Sequence, residues 1–206
     1  MKKIYLFIIF FVLMFGSAGL AQNNQRNRNN SSALIKVIHS EFGWTDSRLT
    51  EKLLIELTRN GNGAVVNADV LTEMPEFPVG RYETDLLIDW AAQAGRKYLI
   101  LVSVEFEGLE RKKTFSLPFI FHKYENIGVI SGELRIIDLI RKRSIVSEHF
   151  KIEKEGKRII QASTDDDKND ADLHISAPEK IIFFSELERE LAVMLADRIR
   201  EATSLR

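Results

Sequence analysis

Between Lys97 and Glu153 three strongly patterned extended segments follow one another: KYLILVSVEFE, GVISGELRIIDLI and RKRSIVSEHFKIE. Their β-branched and aliphatic runs fit pleated strands, so the chain builds a sheet here and covers it with what lies before and after. In Tyr98 to Val102 both faces are apolar, as in a strand buried mid-sheet under helices on at least one side. From Ser103 the pattern alternates, which places Val104 and Phe106 on one face and Ser103, Glu105 and Glu107 on the other. Val129–Ile140 and Ser144–Ile152 read as a hairpin. Ile130, Leu134, Ile136 and Ile140 share a face with Gly132 and Asp138, and Val146, Phe150 and Ile152 face inward beside them. The joining Arg141-Lys142 lacks the Asn-Gly chemistry of a two-residue turn, which predicts a longer one.

The flanks supply further elements. LIKVIHSEF, with Ile35 and Val37 on one side and Leu34 and Ile38 on the other, predicts a strand; Leu49, Leu53, Leu54 and Leu57 then fall at helical spacing after a cap at Thr45 or Asp46. GAVVNADVL is a second short strand, and a helix from near Tyr82 through Leu86, Leu87, Trp90, Ala91 and Ala94 stops at Gly95. The last helix enters at Pro178 and carries Ile181, Phe184, Leu187, Leu191, Met194, Leu195 and Ile199 as its apolar stripe. The order is β-α-β-α-β-β-β-α, an α/β class with a single mixed sheet and helices packed on it, in one domain over residues 33–206.

Ahead of this domain, Met1-Lys2-Lys3 is basic, Ile4 to Phe15 is an unbroken apolar run, and Gly16 to Ala21 is rich in small residues. That three-part layout is a secretory signal peptide, and the apolar run falls short of the roughly 20 residues that span a bilayer as a helix. Residues 22–32 (QNNQRNRNNSS) have no apolar side chain to bury and read as a flexible polar linker. Export to the periplasm follows as an expectation. With no cysteine in the chain there is no lipid-attachment residue, disulfide framework or thiolate metal site. Beyond the leader 27 basic side chains face 30 acidic ones, the wrong balance for a nucleic-acid binder.

The helix-Gly-strand stretch AAQAGRKYLILVSVEFE, the hairpin GELRIIDLIRKRSIVSE and the terminal helix ELERELAVMLADRIREA resemble a group of bacterial envelope proteins. These are the curli-secretion CsgG proteins, the LpoB activators of penicillin-binding proteins and the amino-terminal domain of TolB. Ala91, Ala92, Ala94, Gly95, Tyr98 to Val104, and Leu134 to Asp138 stand at the matching places. The resemblance implies a non-catalytic part that binds other envelope proteins or self-associates, with no cofactor and with membrane contact only at the periphery. Lipoprotein members carry a cysteine after the signal and turn their hairpin on Gly or Asn; this chain has neither.

Gly108 to Ile127 reads as a long excursion from the sheet whose centre is apolar. It either tucks back over the sheet or exposes a patch for a partner, with Phe115, Phe119 and Phe121 as anchors. Arg111, Lys112 and Lys113 would join Arg141, Lys142 and Arg143 in one basic edge if this excursion lay beside the hairpin turn, suiting an anionic protein surface or lipid phosphates. Asp170, Asp172 and His174 alternate and form the candidate set for a divalent metal, the alternative function being a small-ligand or metal-binding module. Glu105, Glu107 and Glu133 would neighbour one another on the open sheet face, where close carboxylates suit acid-base work, although pairing with Arg135 or His149 accounts for them more simply. His39, His122 and His149 are scattered, and no G-x-S-x-G accompanies Ser103 or Ser131.

Overall fold

The computed structural model describes residues 32–39, 47–59, 64–71, 84–117, 121–161, 175–203 and 205. They form β1 (Ser32–His39), α1 (Leu49–Arg59), β2 (Ala64–Asn67) with a 3-10 turn at Ala68–Val70, α2 (Thr84–Gln93), β3 (Tyr98–Leu117), β4 (Phe121–Asp138), β5 (Arg143–Gln161) and α3 (Ala177–Ala202). The five strands make one mixed sheet in the order β2-β1-β3-β4-β5. The two parallel pairings both involve β1, and β3-β4-β5 run antiparallel as a meander. The expected class and element order are thus present. β1 begins at Ser32, one residue inside the span read as linker, and Ser32 is buried.

Two cores follow from the strand alternation. Ala33, Ile35, Val37, Ile100, Val102, Ile130, Leu134 and Ile136 point to the face covered by α1, through Leu49, Leu53 and Leu57, and by α3, through Phe184, Leu187, Leu191, Leu195 and Ile199. Leu34, Leu99, Leu101 and Ile137 point the other way, against Ile88 and Ala91 of α2. Burying a side chain of this size contributes about 1.5–3 kcal/mol, so these two layers carry most of the stability. α3 has Pro178 in its first turn as expected, and Glu179 accepts from both the backbone N–H (2.9 Å) and the hydroxyl (2.8 Å) of Ser176. Gly95 ends the segment after α2 at φ +66°, a conformation L side chains rarely adopt.

The largest departure from the sequence reading is the excursion. Residues 108–117 and 121–127 do not leave the sheet: β3 and β4 continue as a ladder through Glu110↔Ile127 and Lys112↔Glu125 to Leu117↔Phe121. The 20 residues of β3 reach about 66 Å at the usual strand rise. Phe183 of α3 lies against Gly128, so the strand ends past that level extend beyond the sheet area covered by helix residues 184–199 and form a distal arm.

A second departure comes from one extra residue. The register slips between Val104 and Phe106, with Glu105 as the bulge, so parity changes along β3. Phe106 therefore lies opposite Ser131 on the open face, 42% exposed, and Glu107 lies opposite Ile130 on the helix-covered face, buried. The β4-β5 turn spans Leu139–Lys142, longer than two residues as expected, with Asp138 accepting from the backbone N–H groups of Ile140 and Arg141 at 3.0 Å each. This takes Ile140 out of the inward face and leaves it 70% exposed. On α3, Ile181 and Met194 lie off the buried stripe at 48% and 41% exposure.

Gly132 sits opposite the bulge. A β-carbon there would fall inside the shell of the Ser103 carbonyl oxygen and against the Phe150 ring, whereas the atoms nearest to one on Gly128 all belong to the Phe183 ring. Ser103 belongs to the ladder and cannot move aside, while Phe183 can turn. Gly132→Ala is expected to cost about 1–3 kcal/mol and more than Gly128→Ala, read as the difference in urea midpoint; equal losses would contradict this.

Candidate functional site

The bulge brings Glu107 to a buried polar cluster at the seam of β1, β3, α1 and α3. At its centre Glu188 of α3, 2% exposed, accepts from the Ser47 hydroxyl (2.5 Å), the Arg48 backbone N–H (2.9 Å) and the Lys52 ammonium (2.5 Å). Lys52 also donates to the carbonyl (2.9 Å) and hydroxyl (3.0 Å) of Ser185. A carboxylate at the amino end of α1 is favoured by the helix dipole and satisfies an otherwise open N–H, so Glu188 fastens one helix to the other.

Glu107 is differently placed. Its side chain is 1% exposed, neither carboxylate oxygen has a hydrogen-bond partner among the described residues, and Nδ1 of His39 lies 3.8 Å away. Burial raises its pKa to about 7, helped by the charge of Glu188 and opposed by that of Lys52. Burial also lowers the pKa of His39, with Lys36 lowering it further and Glu188 opposing. A carboxyl titrating near neutrality beside an imidazole is the chemistry of an acid-base pair. A groove of about 240 Å³ between α1 and α3 is lined by Lys52, Ile55, Glu56, Ser185, Glu186 and Arg189, and Glu107 is not among its lining residues.

The open face of the meander holds the other carboxylates. Glu133 accepts from Arg135 (3.0 Å) and Ser147 (2.7 Å). Burial pushes its pKa up, but these hydrogen bonds and the Arg135 charge outweigh it and leave the value lowered. Glu133 is thus a paired surface carboxylate, and the bulge separates it from Glu107, so the expected trio on one face does not form. Lys151 and Glu153 pair along β5 at 2.6 Å.

The basic residues do not make one edge. Arg111, Lys112 and Lys113 lie on the distal arm opposite Asn126, Glu125 and Tyr124, while Arg141 and Lys142 occupy the turn at the other end of β4. About 14 strand residues, or roughly 46 Å, separate the two groups. In the turn, Arg141 faces Asp138 (3.9 Å) and Lys142 faces Asp89 of α2 (2.9 Å). Phe115 lies opposite Lys123 on the arm, 48% exposed, on the same open face as Phe106. Phe121 opens β4 with its side chain outside the described part, and Phe119 lies outside the described residues, as do Asp170, Asp172 and His174. Among the described residues no three His, Asp or Glu side chains are placed to hold a metal ion, and no described helix is long and apolar enough to cross a membrane.

The class defined so far is an α/β meander sheet covered by two helices on one face and one on the other, with a distal arm. No protein-family model matches the chain, and no curated protein does. Among solved structures it is similar to the PelC dodecamer from Paraburkholderia phytofirmans, at 13% identity over 62% of this chain and 74% of that one, TM-score 0.36. TolB from Acinetobacter baumannii matches at 13% identity over 83% of this chain but 27% of TolB, TM-score 0.37. The LpoB C-terminal domain from Salmonella enterica matches at 16% identity over 60% of this chain and 83% of that one, TM-score 0.39. TolB and LpoB are two of the proteins that the sequence resembles. At these identities and scores the likeness concerns the arrangement of elements, and no function is taken from it.

Proposed function

We propose that this chain is an exported, non-catalytic component of the cell envelope that binds other envelope proteins through its distal arm. The observation that carries this reading is the pair of exposed aromatic side chains on the open face, Phe115 on the arm at 48% exposure and Phe106, turned outward by the bulge just before the arm, at 42%. Aromatic side chains on a strand supply large contact area at low entropic cost, and Lys112 on the same face would orient an acidic partner. The secretory leader read from residues 1–21 supports the compartment. The test is cross-linking in the host envelope followed by capture of the protein and of a variant carrying Phe106→Ser and Phe115→Ser. A defined partner held by the natural protein and lost by a variant with unchanged melting supports the reading; equal capture by both overturns it.

A further inference from the structure

We propose that the outer edge of β5 pairs antiparallel with β5 of a second copy of this chain, about a two-fold axis at Ile152. β5 is the last strand of the sheet, 19 residues long, and no described strand occupies its outer edge. Such an edge presents a row of backbone donors and acceptors, a ready template for another strand.

The sequence of the edge selects the occupant. With Ile152 opposite its own copy, Lys151 stands across from Glu153 and His149 across from Glu155, and the symmetry repeats each pair. Moving the axis one residue either way sets Lys151 against Lys151 or Glu153 against Glu153 of the second copy, whereas the axis at Ile152 sets no like charges opposite each other between His149 and Glu155. Glu155 back to His149 is also a regular stretch, since the β4-β5 irregularities lie outside it, beyond Glu155 and at the Ile136–Ile137 end. In the single chain Lys151 and Glu153 pair with each other along the strand, at 2.6 Å and both about half exposed, so each can turn to a partner across the edge.

The helix layer accommodates the pairing. α3 packs over both β4 and β5, so two copies of α3 would lie about two strand spacings apart, roughly 9.6 Å, within the 8–10 Å at which helices pack. Between β5 and α3 runs a groove of about 490 Å³ lined by Phe150, Met194 and Leu195 among others, and Val193 and Met194 are 43% and 41% exposed on the helix. The second copy's strand and helix would close that groove.

The test is sedimentation of the purified protein over a concentration series, with Lys151→Glu and Glu153→Lys, both at exposed positions. The wild type is expected to dimerise, and each single variant to dimerise at least about tenfold more weakly. An equimolar mixture of the two variants should recover the dimer. In the mixed pair the carboxylates at positions 151 and 153 of one copy face the ammonium groups at positions 153 and 151 of the other. Melting temperatures unchanged at a dilution where every protein is monomeric show that the variants fold. A wild type that stays monomeric, a dimer indifferent to both reversals, or a mixture that fails to recover overturns the proposal. The arm residues are untouched, so the reading of the distal arm stands or falls separately.

Discussion

Replacing Glu188 by Ala is expected to lower the unfolding free energy by about 3–5 kcal/mol, the range for removing one partner of a buried ion pair. The cause is what remains: the Lys52 side chain, 19% exposed, keeps only Ser185 among the described residues, and the Ser47 hydroxyl and Arg48 N–H lose their acceptor. Glu188→Gln should fall in between, because an amide oxygen still accepts from Ser47 and Arg48 while the charge facing Lys52 is gone. Adding Lys52→Met to Glu188→Ala should recover part of the loss, since the stranded charge is then absent. Urea unfolding of the four proteins measures this; a loss below about 1 kcal/mol for Glu188→Ala would show that the seam between α1 and α3 is held by apolar packing alone.

Glu107→Gln should act in the opposite direction and depend on pH. Above pH 7 Glu107 is ionised in both folded and unfolded chains, and the folded state bears the cost of a buried carboxylate without hydrogen bonds. A rise from 4.5 to about 7 corresponds to about 3 kcal/mol. Because this pKa is raised on folding, the folded chain holds a proton between pH 4.5 and 7 that the unfolded chain has lost. The contribution of Glu107 is therefore fully present below pH 4.5 and is lost as pH rises through 7. His39 works against it: its lowered pKa makes the unfolded state the better proton acceptor below about 6.5, so its share of stability falls as pH drops through its folded value. Glu107→Gln removes the first effect and keeps the second. The variant should exceed the wild type by about 3 kcal/mol at pH 8, with the difference vanishing toward pH 4.5. A variant no more stable than the wild type at pH 8 would mean that Glu107 is solvated or partnered after all.

The sequence made the element order and most inward faces legible, since Ile35, Val37, Ile100, Val102, Leu134 and Ile136 alternate with a strand's period and sit where that period puts them. It could not show the bulge. One extra residue at Glu105 leaves the alternation V-E-F-E intact along the chain while exchanging the faces of Phe106 and Glu107 in space. The arm was hidden for another reason: Arg111-Lys112-Lys113 and Pro118 break the apolar pattern, and a strand lying on a solvated face has little to alternate. Glu188 looks like its neighbours Glu186 and Glu190 on the polar side of α3, and only the fold reveals partners at Ser47, Arg48 and Lys52, some 140 residues away. The raised pKa of Glu107 depends on the same long-range packing, so no local motif announces it.

The distal arm as a binding surface is tested most directly by placing a photoreactive side chain at Phe115, and for comparison at Ile140, 70% exposed at the opposite end of β4, in cells of the native host. The account predicts a discrete adduct with an envelope protein from position 115 and none of that mass from position 140. The absence of any adduct from 115, or the same adduct from both positions, would contradict it.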